Sequence, residues 1–284
     1  MYELYILNSS SLRELDNVTS HCKGKQGDSF EWGGVETRAQ DLRCLVISNA
    51  KVTSIQNIVH KFRYVVSLGL SFNKIVDLTP LLYLAQLELL DVSHNKIESL
   101  DPLSELHRLT ILRAQNNMIS KLDPLARLAQ LKEVSIGHNK VEWGQLIFVQ
   151  SLRNLQGLVL TGNPCDDKHS NNFDFVVGLA PRLRILDGVI LTEEAHLASA
   201  ASSKSAAGRT KITQARSQLS GSERKLLNET TTLASSSDTG GMTHKRSGRP
   251  GRAGGAGGGP IAGSRSRVAQ EMAAQVTAST GDVG

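Results

Sequence analysis

Apolar residues recur along the chain in one repeated spacing. Val65, Leu68 and Leu70 lead to Asn73, and the same intervals return as Leu87, Leu90, Val92 and Asn95. They continue as Leu109, Leu112, Ala114 and Asn117, then Leu131, Val134, Ile136 and Asn139, then Leu155, Leu158, Leu160 and Asn163. The first four asparagines stand 22 residues apart, and the last follows after 24. A degenerate first copy, Leu42, Leu45 and Ile47, has Ala50 in the asparagine place. The consensus is L-x-x-L-x-L-x-x-N. Its L-x-L centre predicts a short strand whose alternate side chains point inward. One copy cannot bury its own apolar face, whereas a stack of copies can. The asparagine amide carries two donor hydrogens and an acceptor oxygen. Stacked, these amides are expected to bond the backbones of successive turns. The column lacks a member at Ala50, a gap best tolerated at an end of the array.

A second register supports the first. Pro80, Pro102 and Pro124 each lie seven residues after an asparagine and follow Thr79, Asp101 and Asp123. Asp or Thr followed by Pro predicts a helix N-cap with Pro at the first helical position, so the return segments should begin as short helical turns on the convex side. Residues 140–154 break this register, with Trp143-Gly144 in place of the Asp-Pro start. A distorted loop or a longer helix is expected there.

The repeated string resembles the leucine-rich repeat signature in its 22-residue class, the class found in the phosphatase-1 regulatory leucine-rich subunit. The match runs over residues 42–190. The end of it, Leu160-Thr-Gly-Asn-Pro-Cys165, Phe173-Asp-Phe-Val-Val177 and Pro181-Arg-Leu-Arg-Ile-Leu-Asp-Gly188, is similar to the caps of intracellular leucine-rich proteins. These include ciliary assembly and axonemal proteins and the spliceosomal A-prime protein, and Leu191-Thr-Glu-Glu-Ala195 adds to the ciliary likeness. The resemblance implies an α/β repeat solenoid, a leucine-rich repeat horseshoe with a parallel β-sheet on its concave face. The expected organisation is an N-terminal capping region (1–41), about six repeats (42–164), a C-terminal cap (165–198) and a disordered basic tail (199–284). In the cap, Phe175, Val176, Leu179, Leu183 and Leu186 are expected to cover the edge of the last strand. Gly33-Gly34 marks a loop in the capping region.

Charge divides the chain. The net charge is +5 over 284 residues, yet residues 199–284 hold 12 Lys+Arg against 5 Asp+Glu, and the remainder carries a slight acidic excess. That segment is rich in Gly, Ala, Ser and Thr and poor in large apolar side chains, which predicts disorder from Ala200 onward. No apolar run approaches the ~18 residues of a membrane span, and the start has no basic segment before its short apolar run. Three cysteines, Cys22, Cys44 and Cys165, do not make a disulfide framework and point to a reducing compartment.

The residues flanking the inward pair face the concave sheet. Three rows follow from the register: Cys44, Ser67, Leu89, Ile111, Glu133 and Gly157; Val46, Gly69, Asp91, Arg113, Ser135 and Val159; Ser48, Ser71, Ser93, Gln115, Gly137 and Thr161. Five strand spacings make a strip about 24 Å across. Apolar Leu89 and Ile111 beside charged Asp91, Arg113 and Glu133 have the makeup of a protein-binding hot spot. Ser67, Ser93 and Gln115 support them. The alternative is that Asp91 and Arg113 pair across adjacent strands on an idle surface. Phe72, His94 and His138 precede the asparagines, and Lys74, Lys96 and Lys140 follow them in a row that reads first as a solvated face.

Signals for catalysis and for metal or nucleotide cofactors are missing. No G-x-x-x-x-G-K-[ST], G-x-S-x-G, C-x-x-C or H-E-x-x-H string occurs. His94 and His138 lie two repeats apart, about 10 Å, with no third ligand at a suitable spacing. Cys165 has His169 four residues on, but Asp166 and Asp167 would raise the thiol pKa rather than activate it. The expected function is a non-catalytic scaffold binding a protein partner on the concave face, without a cofactor, small-molecule substrate or membrane. Family resemblance places it in the cytoplasm or a cilium or flagellum, with the nucleus as alternative. The rivals are a ribonucleoprotein component whose basic tail contacts RNA weakly and a regulatory subunit of protein phosphatase 1. The tail also holds a Ser-Arg-Ser-Arg267 string open to phosphorylation and an apolar spacing at Val268, Met272 and Val276.

Overall fold

The computed structural model describes residues 4–7, 29–32, 35–38, 42–165 and 172–237. The chain divides into two units, 1–240 and 241–284, and the second lies outside the described residues.

Nine strands form one sheet in the order β1 (Leu4–Leu7), β4 (Cys44–Ile47), β5 (Ser67–Gly69), β6 (Leu89–Asp91), β7 (Ile111–Arg113), β8 (Glu133–Ser135), β9 (Gly157–Val159), β10 (Ile185–Leu186) and β11 (Val189–Ile190). All neighbours are parallel except β10 and β11, which pair antiparallel. β2 (Ser29–Trp32) and β3 (Val35–Arg38) pair antiparallel as a separate two-stranded sheet. The N-terminal region thus adds β1 ahead of the repeat pattern, pairing Leu4 with Cys44 and Leu7 with Ile47.

Each repeat contributes the same apolar set. Between Asn95 and Asn117, Ile97, Leu100, Leu103, Leu106, Leu109, Leu112 and Ala114 are all at most 1% exposed. The middle residue of each three-residue strand from β5 to β9, Leu68, Leu90, Leu112, Val134 and Leu158, points into this core, and its neighbours on the strand point the other way. The return segments are 3-10 helices: Thr79–Tyr83, Asp101–Glu105, Asp123–Arg127 and the longer Trp143–Ser151, which fills the broken register. One α-helix, α1 (Gln56–Lys61), replaces the 3-10 turn in the first repeat.

The capping expectation needs a correction. Thr79, Asp101 and Asp123 are the first helical residues, and Leu78, Leu100 and Leu122 hold the cap positions without a side-chain bond. The polar partner stands two residues earlier. Asp77 Oδ1 accepts from Thr79 N at 2.8 Å and from Thr79 Oγ1 at 2.6 Å. Ser99 Oγ accepts from Asp101 N at 3.0 Å.

The asparagines form a continuous column. Asn117 Nδ2 donates to the carbonyls of Val92, Ala114 and Gln115, while its Oδ1 accepts from Ile97 N at 3.0 Å. Asn95 and Asn139 repeat this set, one turn on either side. Asn73 donates to Ile47, Leu70 and Ser71 and accepts from the amides of Ala50 and Val52, so it also serves the copy that lacks an asparagine. Asn163 closes the series on Val141 N. Beyond it, Asp187 takes over: its Oδ1 accepts from Leu160 N at 2.6 Å, Thr161 N at 2.9 Å and Thr161 Oγ1 at 2.8 Å. This carboxylate satisfies backbone donors at the point where the parallel ladder stops, which gives the Leu186-Asp-Gly188 string its purpose.

The end of the array is covered by α2 (Asn172–Leu179), whose Phe175, Val176 and Val177 are buried, together with Leu183 and Leu186. Trp143 stacks on Phe175 with ring centroids 5.0 Å apart. The chain does not become a tail at residue 199, contrary to the reading from composition. It continues through α3 (Glu193–Lys204), α4 (Ala206–Ser217) and α5 (Gly221–Ser237). α3 lies on α2, α4 on the long 3-10 helix, and α5 on the two 3-10 helices 123–127 and 143–151. The few apolar residues are placed where they count: Ala215, Leu219 and Leu227 are buried, with Ile212 against them. Small residues permit close approach, since a Cβ on Gly208 would come within 2.3 Å of Ser202 O. Residues 238–284, which hold the remaining basic tail, the Ser-Arg-Ser-Arg267 string and Val268, Met272 and Val276, lie outside the described residues.

One carboxylate pins this extension. Glu223, 5% exposed, accepts from Ser220 N at 2.7 Å while Ser220 Oγ accepts from Glu223 N at 3.4 Å, a capping box at the start of α5. Its other oxygen accepts from Gln145 Nε2 at 3.2 Å and faces Lys121 Nζ at 3.4 Å. Burial pushes the Glu223 carboxyl up, but Ser220, Gln145 and Lys121 outweigh it and hold the pKa below its ordinary value. Asp123 shows the opposite balance. Burial and the charge of Glu223 raise its pKa, Lys121 opposing, and its Oδ1 is buried without a hydrogen-bond partner.

Two outcomes follow. Asn117→Ala should cost about 2–4 kcal/mol in urea unfolding, because it leaves the buried Ile97 amide unpaired and takes one of the two donors from each of the Val92, Ala114 and Gln115 carbonyls. Asp123→Asn should raise the urea midpoint at about pH 7. A carboxyl whose folded pKa is raised costs stability above that pKa, so the gain should shrink as pH falls through it and vanish near about pH 3.

Candidate functional site

Short strands with one inward residue leave two side chains per repeat on the outer face of the sheet. The pairing register aligns them as the sequence requires: Cys44, Ser67, Leu89, Ile111, Glu133, Gly157 and Ile185 in one row, and Val46, Gly69, Asp91, Arg113, Ser135 and Val159 in the next. Six of the eight expected site residues stand in these rows, Ser93 and Gln115 follow just after β6 and β7, and their exposure is uneven. Leu89, Asp91 and Ser93 are buried at 7%, 5% and 5% exposed. Ser67, Ile111, Arg113 and Gln115 are half-buried, and Glu133 is exposed. The rows lie close on the N-terminal half, where a Cβ on Gly69 would meet Val46 at 3.2 Å. Asp91 Oδ1 accepts from Ser93 N at 2.9 Å, so this carboxylate serves the turn after its own strand. Asp91 and Arg113 are direct neighbours across β6 and β7, and no ion pair joins them.

Accessible surface concentrates instead on the C-terminal half. A cleft of about 370 Å³ opens over β7–β10, between apolar Ile111, Val159 and Ile185 and charged Arg113, Glu133 and Arg184. Gly157 has no side chain to fill it. None of the three charged groups belongs to an ion pair among the described residues. Ser135 Oγ, also in the lining, is buried without a hydrogen-bond partner. Ile190 pairs with Ile185 on the antiparallel edge and is 78% exposed. Arg184, Ile185 and Ile190 are absent from the expected set. The signal was available, because Leu183 and Leu186 repeat the interval of Leu155 and Leu158 and put Ile185 in the row of Gly157.

A second column runs along the edge where strands turn into loops. Asn49, Phe72, His94, Asn116 and His138 all have φ between +53° and +57°, and Gly162 has φ +76°. Each turn needs this left-handed residue to aim the next asparagine inward. Gly162 is further constrained, since a Cβ there would lie 2.4 Å from His138 Nδ1. Phe72 and His94 stack with centroids 4.0 Å apart and planes 9° apart, and Asn116 Nδ2 is 3.2 Å from His94 Nε2. Burial holds the His94 pKa below its ordinary value, with His138 reinforcing and Asp91 opposing.

Among the described residues, no group of three His, Cys, Asp or Glu is arranged to hold a metal ion, and no helix is long and apolar enough to cross a membrane. Cys44 and Cys165 are buried and form no disulfide, and burial raises the Cys44 pKa, Ser67 opposing. Asp166, Asp167 and His169, weighed above as neighbours of Cys165, lie outside the described residues, as does Cys22.

A model of leucine-rich repeats in two copies matches residues 85–127. No curated protein sequence matches the chain. Among solved structures, it is similar to an internalin, InlF, from Listeria monocytogenes, at 24% identity and a TM-score of 0.48, covering 53% of this chain and 42% of that one. Internalin C2 from the same organism gives 24% identity and a TM-score of 0.45, over 54% of this chain and 62% of the other. The Drosophila melanogaster SNF/U2A′ complex gives 24% identity and a TM-score of 0.43, over 50% and 82%. The chain thus spans less than two thirds of either internalin. The repeat match, the strand register and the asparagine column make it a leucine-rich-repeat protein in fold.

His94 should titrate below the range of a free histidine in a proton NMR titration of the ring. His138→Asn should move that titration upward, because it removes the reinforcing positive charge.

Proposed function

We propose that the chain is a non-catalytic protein-interaction scaffold that seats its partner on the concave sheet over β7–β10. The carrying observation is the cleft itself: apolar walls at Ile111, Val159 and Ile185 flanked by Arg113, Glu133 and Arg184, whose charges no described residue neutralises. An apolar centre beside unpaired charge gains both burial and charge-assisted hydrogen bonds when a complementary surface closes over it. The stacked strands hold these side chains in place beforehand, so binding loses little conformational entropy on this side. Ser67, Leu89, Asp91, Ser93 and Gln115 form the floor and flank of the same surface and act mainly by shaping it.

A ciliary or axonemal setting is the preferred context. It is supported by the likeness of Gly162-Asn-Pro-Cys165, Leu186-Asp-Gly188 and Leu191-Thr-Glu-Glu-Ala195 to the caps of such proteins. The reading as non-catalytic rests on the missing sequence motifs and on the burial of Cys165.

Affinity capture with the full chain tests this reading, using an Arg113→Glu/Glu133→Lys variant as comparison. Both side chains lie on the sheet surface, so the melting curve should be unchanged. The captured protein should lose at least about 30-fold in affinity, the size of a hot-spot loss of ~2 kcal/mol. Retention of every captured protein by the variant would reject the concave site.

A further inference from the structure

The loop edge carries more than the turn chemistry requires. The residue after each position of the asparagine register is Lys51, Lys74, Lys96, Met118, Lys140 and, last, Pro164. All four lysines are exposed, and none is in an ion pair among the described residues. Because they occupy equivalent places in stacked turns, their backbones repeat at the strand spacing of about 4.8 Å, with one gap at Met118. The nearest carboxylates along the chain are Asp77, Glu98 and Glu142. Asp77 is occupied by Thr79, which leaves Glu98 and Glu142 against four cations.

Two residues before each of Lys74, Lys96 and Lys140 stand Phe72, His94 and His138. Phe72 remains 39% exposed although it stacks on His94. Its left-handed backbone is a conformation that β-carbon side chains adopt reluctantly, so an aromatic there is not explained by backbone preference. The edge therefore presents a line of cations beside an exposed aromatic and imidazole stack, with the amide of Asn116 and the ring of His138 next in the same column.

We propose that this edge binds single-stranded nucleic acid. The lysine row would follow the phosphates, and an unpaired base would continue the Phe72–His94 stack. A duplex meets only the first requirement, because its bases are already stacked. An acidic peptide also meets only the first, because it has no planar ring to place on Phe72. The site is separate from the concave cleft: it lies on the loops after the strands, so a scaffold holding a protein partner on its sheet keeps this edge available.

Fluorescence anisotropy of the full chain with a labelled 12-nucleotide single-stranded RNA tests the proposal, with the same sequence as a blunt duplex and an acidic peptide as comparisons. The tail is present in every variant and contributes equally. Lys51→Glu/Lys74→Glu/Lys96→Glu should weaken single-strand binding at least tenfold and reduce the slope of log K against log salt by about 2, as expected for three phosphate contacts at ~0.7 each. Phe72→Ala should weaken single-strand binding about tenfold and leave the slope and the duplex affinity unchanged. Phe72→Trp should restore binding, which separates loss of stacking from loss of fold. An unchanged slope in the triple variant, or single-strand affinity indifferent to both Phe72 variants, overturns the proposal. So does an acidic peptide that binds as tightly as the RNA, which would make the edge a general polyanion surface.

Discussion

The fold depends on one side chain used five times. An isolated turn of this solenoid would bury backbone amides and carbonyls at its corner, at a cost of about 1–3 kcal/mol for each group left unpaired. The asparagine amide meets that demand from both sides: its nitrogen serves its own turn and the preceding strand's end, and its oxygen serves the preceding turn's amide. Every member therefore bonds two turns together. The 22-residue period follows from this constraint as much as from apolar burial, since a shift of one residue would remove all these bonds and turn the inward strand residue to the outside. Where the period fails, between Asn139 and Asn163, the two extra residues are absorbed by the long 3-10 helix, and the column is not broken.

The same constraint produces the two surfaces that carry functional interest. Regular stacking lines up the outward strand residues in rows and leaves their identity free, because packing fixes only the inward position. Small residues at Ser67, Gly69, Ser135 and Gly157 let the rows crowd in one half and open in the other. The left-handed residue before each asparagine is likewise a geometric requirement of the turn, yet it is Phe, His, Asn and His rather than the residues with the lowest conformational cost at every place. Both proposed surfaces are built from positions that the fold demands but whose identity it leaves open.

The repeat core and the sheet register were legible because each rests on a local pattern repeated several times, so that chance matches average out. The same register puts Ser67, Leu89, Asp91, Ile111, Arg113 and Glu133, six of the eight candidate residues, in the two outward rows. Their exposure was not legible: Leu89, Asp91 and Ser93 look like surface residues from alternation alone, yet all three are buried, and Asp91 is turned onto the Ser93 amide. The helices α3–α5 were missed because composition averages over residues 199–284. Ala215, Leu219 and Leu227 are few, but all three are buried in the core, and Glu223 adds a polar clip that no single-segment pattern reveals. The cap positions were displaced by one residue because Asp-Pro reads as an N-cap in an α-helix, whereas these short 3-10 turns begin on the Asp or Thr itself and take their polar partner from Asp77 or Ser99, two residues earlier.

The central claim is that the asparagine column couples the turns into one cooperative unit, so that the concave surface exists before any partner arrives. Native-state hydrogen exchange of the Ile75, Ile97, Ile119 and Val141 amides, each bonded to an asparagine oxygen, tests it most directly. The account predicts that all four exchange only through global unfolding, with one common opening free energy. Exchange of any of them at the rate of an exposed loop, independent of the others, would contradict it.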